Sequence, residues 1–293
     1  MTQSNKKAKR EVPRRVLILG DLRNKMVAKT LRTIAHSIRE NADTVQFDIS
    51  GKPDISRESA DFAFVFGGDG SILRAVQLLR ENQIPIVGVN VGRLGFLTEF
   101  SVKEFLEALP EILSGRRAPS ERLMICATLH PARPRRRKNR IFYAVNEATV
   151  SRVGFLSMVR IRLSIDGSSI TSYSGDGAII ATPTGSTAYS LSCGGPILLP
   201  GTDALVVTPI NPHTLTNRPL VVPASSEIVL EILSQRQEAA LSIDGQINVA
   251  LTEGDLVSIK RADRVFRLVE NYLFYLTLRQ KLNWGGTPNY GKD

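Results

Sequence analysis

The sequence predicts an α/β half followed by an all-β half, and two observations carry this. Before residues 119–123, short Val/Ile/Phe runs alternate with stretches of helical spacing. That alternation is the pattern of βαβ units on a mostly parallel sheet. After that point, strand-like runs succeed one another with almost no helical periodicity until 272–282. Many short strands in series suggest packed antiparallel sheets.

The elements follow in order. Residues 16–20, 45–49, 62–66 and 84–91 are short apolar runs, and 24–40, 71–79 and 102–113 have helical spacing between and after them. In the second half, 123–129, 142–150, 158–165, 178–181, 205–210, 228–233, 240–243 and 256–260 read as strands. The helix at 272–282 is expected to return to the first domain, because an amphipathic helix after a β domain needs an apolar surface to cover. The expected division is a disordered basic arm at 1–15, a Rossmann-like α/β domain at 16–121 joined by 270–293, and an all-β domain at 122–269.

Composition narrows the function classes. The longest apolar runs, such as 16–19 and 84–89, are far too short to span a bilayer. The basic N-terminus has no apolar stretch before a small-residue cleavage site, so it does not read as a secretory signal. Only two cysteines, Cys126 and Cys193, occur in 293 residues, which points to a reducing, cytoplasmic setting rather than a disulfide framework. They form no CxxC or Cys/His cluster, and three scattered histidines make no zinc site, so no metal is expected to be held by the protein alone. The net charge of +10 lies in two short segments: six basic residues against Glu11 in 1–15, and six more in 133–140. The remainder carries about −1. Neither segment interleaves aromatics with its charges, so specific nucleic-acid binding is not expected, and 131–140 reads as a solvated loop.

The chemistry begins at Phe64-Val65-Phe66-Gly67-Gly68-Asp69-Gly70-Ser71. A strand runs straight into three glycines around one acid, and a helix follows. Glycine permits close approach of a ligand to the backbone, and a helix N-terminus favours phosphate. The motif is neither a Walker loop nor a dehydrogenase fingerprint. Asp69 beside phosphates makes sense if it handles a hydroxyl or a magnesium ion, and Arg74 lies one turn on, near enough to meet a phosphate. A second glycine-rich loop, Asn90 to Leu97, also follows a presumed parallel strand, where ligands bind in open α/β sheets; its Phe96 either lines a pocket or packs in the core. Asn146 and Glu147 place an amide and a carboxylate inside a strand-like run, where one must be buried and therefore partnered. Residues 175–190 end a strand in a dense set of hydroxyls, and 242–246 reads as a hairpin turn at Asp-Gly.

Taken in this order, these motifs resemble the NAD kinase family over 16–284. Gly-Gly-Asp-Gly, Leu94-Gly95-Phe96, Asn146-Glu147, Asp176-Gly177 with residues 182–189, Pro212-His213-Thr214-Leu215, Arg218-Pro219 and Asp244-Gly245-Gln246 carry the resemblance. The basic loop at 131–140 is not a family element. The resemblance implies an α/β domain and a β-sandwich domain with the active site between them. It also implies Mg-dependent transfer of the γ-phosphoryl group of ATP, or another donor, to the adenosine ribose 2′-hydroxyl of NAD. By similarity, Asp69 contacts that hydroxyl as general base, and Gly67, Gly68, Gly70 and Arg74 face the nucleotide phosphates. NAD contacts are implied for Asp69, Gly70, Arg74, Phe96, Asn146, Glu147, Ser157, Ser174, Asp176, Thr184, Thr187, Ala188, Tyr189, Ser190, Ser192 and Gln246. Asp176 is implied to act from a neighbouring subunit of a homo-oligomer, a dimer or tetramer. Magnesium or another divalent cation is expected to arrive with ATP, bridging its phosphates. The alternative is a lipid kinase, which shares the Gly-Gly-Asp-Gly loop.

Overall fold

The computed structural model describes residues 14–92, 95–133, 137–154, 158–214, 216–234, 239–271 and 274–284. The chain divides into two compact units. One is Met1–Leu78 with Ile84–Pro119 and Val269–Asn271, and the other is Leu79–Gln83 with Ser120–Leu268 and Tyr272–Asp293.

The first unit holds β1 (Arg15–Gly20), α1 (Lys25–Arg39), β2 (Asp43–Asp48), β3 (Phe62–Gly67), α2 (Asp69–Leu79), β4 (Ile86–Asn90), β5 (Phe100–Ser101) and α3 (Val102–Leu113). Strands run in the order β4-β3-β1-β2, all parallel, with Val16 opposite Phe62 and Ala63 opposite Ile86. Parallel strands buried on both faces need continuous apolar runs, and β3 (FAFVFG) is buried throughout. Alternate residues Val16, Ile18, Phe62, Phe64, Phe66, Val87 and Val89 meet Leu31, Ile34 and Ile38 of α1 and Phe105, Leu109 and Ile112 of α3. Phe105 stands edge-on to Phe64 and Phe66, at 5.0 and 5.6 Å between ring centres. The helix starts follow from local chemistry: Asn24 accepts the Met26 and Val27 N–H groups, and Ser101 forms a capping box with Glu104.

The second unit is a sandwich of antiparallel sheets. It contains β6 (Ser120–His130), β7 (Arg140–Ala144), β8 (Glu147–Arg152), β9 (Val159–Ile165), β10 (Ser168–Gly175) and β11 (Gly177–Ala181). After the short helix α4 (Tyr189–Ser192) come β12 (Ala204–Ile210), β13 (Leu220–Pro223), β14 (Ile228–Ile232), β15 (Ala239–Ile243), β16 (Ile247–Leu251), β17 (Leu256–Leu268) and α5 (Phe274–Lys281). One sheet runs β10-β9-β14-β17-β6-β7 and the other β13-β12-β11-β8-β15-β16. Their facing side chains, among them Ile125, Ile161, Leu230 and Ile259 against Val150, Ile180, Val207 and Leu241, form one core. The outer face of β11 and β12 is also covered: Ile179, Ala181, Val206 and Ile210 pack with Cys193 and Leu198.

Several boundaries differ from the sequence expectation. The run at 142–150 is two strands, because the backbone turns at Val145-Asn146. β10 (SSITSYSG) was not expected; it is an edge strand, so it needs few apolar residues. The arm expected at 1–15 ends earlier: Arg15 opens β1 and pairs with Glu58 at 3.1 Å, and Arg14 pairs with Asp61 at 2.8 Å. Residues 1–13 lie outside the described residues. The return to the first unit is carried by Val269–Asn271, while α5 groups with the second. The basic loop is not solvated throughout. Arg137 reaches the Asp255 carboxylate at 2.7 Å and the Ala250 carbonyl at 2.9 Å, and Asp255 also accepts the Ala132 and Thr252 N–H groups. A carboxylate only 1% exposed needs those partners.

Candidate active site

In the first unit, β3 ends at Gly67 and α2 begins at Asp69, so a single residue, Gly68, separates strand from helix in the Gly-Gly-Asp-Gly loop. The Gly67 carbonyl accepts the Val91 N–H at 3.1 Å, and the Ser71 N–H donates to Gly68 at 2.8 Å. A Cβ at Gly67 would strike Ser71, whereas at Gly68 and Gly70 it would meet open space. Those two positions therefore leave room beside the backbone.

Asp69 latches the second glycine-rich loop to the first. Its Oδ2 accepts the Phe96 N–H at 2.8 Å. Its Oδ1 accepts the Leu97 N–H at 3.0 Å, the Thr98 N–H at 3.1 Å and the Thr98 hydroxyl at 3.1 Å. Gly95 lies directly over this carboxylate, and any Cβ there would collide with Asp69 Oδ1 and Thr98 Oγ1. Phe96 is half-buried. Arg74 is paired with Asp21 at 3.6 Å, and Asp21, just past β1, is also held by Arg23 at 2.7 Å. The hydrogen bond from Arg23 holds the Asp21 carboxyl below its ordinary range. A phosphate at Arg74 would thus share the guanidinium with a carboxylate.

In the second unit the structure brings three sequence islands together on adjacent strands. Glu147 opens β8, Ala181 opposite it closes β11, and Ile243, opposite Ala148, closes β15. The chain beyond each strand end then interlocks. Asp244 accepts the N–H groups of Val145 at 2.9 Å, Asn146 at 2.8 Å and Glu147 at 3.0 Å. The Thr182 N–H donates to Asn146 O at 2.9 Å, and its hydroxyl to Val145 O at 2.6 Å. Gly185 rests on the Asn146 backbone so closely that a Cβ would overlap it. Asp244 and Gly245 both have positive φ, 49° and 64°, so the Asp-Gly turn is formed as read; Gln246, half-buried, closes it with an N–H to Ile243 at 2.8 Å.

Asn146 and Glu147 are 9% and 8% exposed, so both are buried where the run required at least one. Among the described residues, two buried atoms here have no partner: Glu147 Oε2 and Thr184 Oγ1. Burial pushes the Glu147 carboxyl up to about 8, and the Asp244 carboxylate adds to the shift. At neutral pH Glu147 is therefore largely a neutral acid, able to donate as well as accept.

The other expected contacts are distributed unevenly. Thr187 donates to the Thr184 carbonyl at 3.2 Å, and Ala188 beside it is half-buried. Ser190 is buried with its hydroxyl on Thr208 at 2.8 Å, while Tyr189 and Ser192 are exposed. Burial raises the Tyr189 hydroxyl, the Cys193 thiol adds to the shift, and the Asp176 and Glu147 carboxylates add less. Asp176 stands at the opposite end of β11 from Thr182, six residues and roughly 20 Å of extended chain away. It accepts Arg152 Nε at 2.5 Å and Asn211 Nδ2 at 2.9 Å, and those two bonds hold its carboxyl low. Half-buried Ser174 lies two residues before it, its carbonyl accepting the His213 N–H at 2.8 Å. Ser157 lies outside the described residues. Sequence reasoning missed Asp21, Asn90, Thr98, Arg152, Asn211 and the anchoring role of Asp244. Only Asp244 had a local signal, an acid in a turn flanked by strand-like runs.

Comparison with known proteins gives the family. The models of the ATP-NAD kinase N-terminal and C-terminal domains match residues 15–117 and 145–271. The chain is 37% identical over 280 residues to an NAD kinase of Geotalea daltonii, covering 95% of this chain and 97% of that one. It is 42% identical over 226 residues to an NAD kinase of Aquifex aeolicus, covering 75% and 80%. Among solved structures, an NAD kinase from Archaeoglobus fulgidus in complex with ATP superimposes with a TM-score of 0.74 at 26% identity, over 92% of this chain and 98% of that one. Yeast NADH kinase complexed with NADH shares the fold, with a TM-score of 0.86 at 24% identity over 97% and 91%. Nothing in these matches supports the lipid-kinase alternative.

Proposed function

The chain belongs to the NAD kinase family, and from that premise we propose how its residues make NADP from NAD and ATP. The adenosine ribose 2′-hydroxyl of NAD meets Asp69, which takes its proton as the 2′-oxygen attacks the γ-phosphorus. Phosphoryl transfer asks a protein for positioning and charge neutralisation more than for covalent chemistry. The single observation that carries this reading is the fixed carboxylate of Asp69, held by four donors at the mouth of a glycine loop with open space at Gly68 and Gly70.

Glu147 and Thr184 each offer a buried polar atom that a ligand hydroxyl or amide would satisfy, so they and Asn146 are assigned to NAD. Phe96, Ser157, Ser174, Thr187, Ala188, Tyr189, Ser190, Ser192 and Gln246 are assigned to it by the resemblance, and Arg74 to phosphate. Asp176 is assigned to the NAD site of a neighbouring subunit, which requires a homo-oligomer. A divalent cation is assigned to arrive with the nucleotide, bridging its phosphates, as the resemblance implies. Magnesium would neutralise the transferring phosphates. No helix among the described residues is long and apolar enough to cross a membrane. The two cysteines are free, consistent with the cytoplasmic setting we propose.

The test is direct. Incubated with NAD, ATP and magnesium, the protein should form NADP, and Asp69→Asn should lose about 10²–10⁴-fold in turnover. Wild-type turnover in that variant would remove Asp69 as base.

A further inference from the structure

We propose that Thr98, oriented by Asn90, is the positioning residue for Asp69, and that it commits the two carboxylate oxygens to different tasks. The inference rests on Asp69 being the base. Thr98 is fully buried, and Asn90 closes β4 nearly so. Asn90 Nδ2 donates to Thr98 Oγ1 at 3.2 Å. An amide nitrogen can only donate, so the Thr98 hydroxyl accepts from it and turns its own proton to Asp69 Oδ1, 3.1 Å away. The Thr98 N–H donates to the same oxygen at 3.1 Å and the Leu97 N–H at 3.0 Å. Oδ1 thus receives three donors.

Among the described residues Oδ2 receives one, the Phe96 N–H at 2.8 Å, and has a second lone pair to offer. The structure therefore assigns Oδ1 to anchoring and Oδ2 to proton transfer. In the reaction, the ribose O–H proton passes to Oδ2, the 2′-oxygen forms a bond to the γ-phosphorus, and the bond from that phosphorus to the bridging oxygen breaks. The diphosphate leaves with the electron pair. Without the Thr98 hydroxyl, Oδ1 would keep two backbone donors against one on Oδ2, and the difference that holds each oxygen to its own task would shrink. Gly95, pressed against both Asp69 Oδ1 and Thr98 Oγ1, closes the remaining space.

The test uses the full-length chain with Thr98→Val, Thr98→Ser and Asp69→Asn, each assayed for NADP formation with ATP, magnesium and NAD. Valine matches threonine in shape without the hydroxyl; serine keeps the hydroxyl and loses the methyl. A hydrogen bond to a charged group is strong enough that its loss in Thr98→Val should lower kcat about tenfold or more, with KM for NAD changed less than about threefold. Thr98→Ser should keep most of the turnover. A packing role gives the reverse order, with Val silent and Ser impaired; that result, or equal loss in both, overturns the proposal. If Thr98→Val does not fold, Thr98→Ala against Thr98→Ser isolates the hydroxyl, and the same gap of about tenfold is expected; equal rates would overturn it. An inactive Asp69→Asn beside a fully active Thr98→Val overturns the positioning alone. A fully active Asp69→Asn removes the base and its positioning together.

Discussion

Asp244 and Glu147 are bonded to each other in both directions: the Glu147 N–H donates to Asp244 Oδ1 at 3.0 Å, and the Asp244 N–H donates to the Glu147 carbonyl at 3.0 Å. The same carboxylate takes the N–H groups of Val145 and Asn146. One side chain thus fixes the backbone of the two residues assigned to NAD. Asp244→Ala should leave three buried donors without partners, each worth about 1–3 kcal/mol, and should destabilise by at least ~3 kcal/mol in urea unfolding. Asp244→Asn keeps one acceptor and turns an amide N–H₂ toward a backbone N–H, so a loss of roughly 1–2 kcal/mol is expected. An Asn variant as stable as the parent would show that the second acceptor oxygen of this anchor adds nothing.

Glu147 makes stability depend on pH. Its folded-state carboxyl titrates at about 8 against 4.5 when unfolded, so between those values the folded state holds one more proton. Stability is then fully present below about 4.5 and falls as pH rises through about 8. The integrated loss is at most a few kcal/mol. Glu147→Gln should flatten that slope and be the more stable protein, relative to the parent, at pH 9 than at pH 5. Parallel slopes for the two proteins across that range would refute the burial argument.

The arginines of the basic loop should not be equivalent. Breaking a buried pair costs about 3–5 kcal/mol, but Arg137 is a third exposed while Asp255 is fully buried, so roughly 2 kcal/mol is expected for Arg137→Ser. Arg133→Ser, on an exposed residue, should stay within about 0.5 kcal/mol. Thermal melts of the two variants side by side decide the matter; equal melting temperatures would mean the ion pair adds nothing.

If Asp176 serves a neighbouring subunit, two dead variants should complement. Asp69→Asn and Asp176→Asn proteins, mixed under exchange conditions, would create some sites that carry neither lesion, and NADP formation should return. Hetero-oligomers that form, as shown by native mass spectrometry, yet stay inactive would count against a shared site.

Much of this was legible in the sequence where one residue's type and its neighbours decide the outcome. That at least one of Asn146 and Glu147 is buried followed from their place in an apolar run, and the Asp-Gly turn from its residue types. The strand-loop-helix passage at Asp69 followed from three glycines after a buried strand. What stayed hidden depends on pairing across the chain. Nothing near Thr98 signals that its hydroxyl meets Asp69, 29 residues away. Nothing in a proline-punctuated basic loop marks Arg137 as the partner of Asp255, 118 residues on. β10 escaped for another reason: an edge strand of serines and threonines has no apolar alternation to read.

The three residues Val269–Asn271 set a schedule for biosynthesis. Val269 is buried in the core of the first unit and donates its N–H to Ile86 at 2.9 Å, while the Asn271 N–H meets the Glu99 carboxylate at 2.8 Å. The rest of that unit has left the peptidyl-transferase centre by Pro119, about 150 residues earlier. At about 5–20 residues per second, the ribosome adds those residues over roughly 8–30 s. Throughout that interval the nascent parallel sheet lacks its last piece, so the half of the molecule made first is among the last to be sealed, and a chain truncated before residue 269 would leave it permanently open.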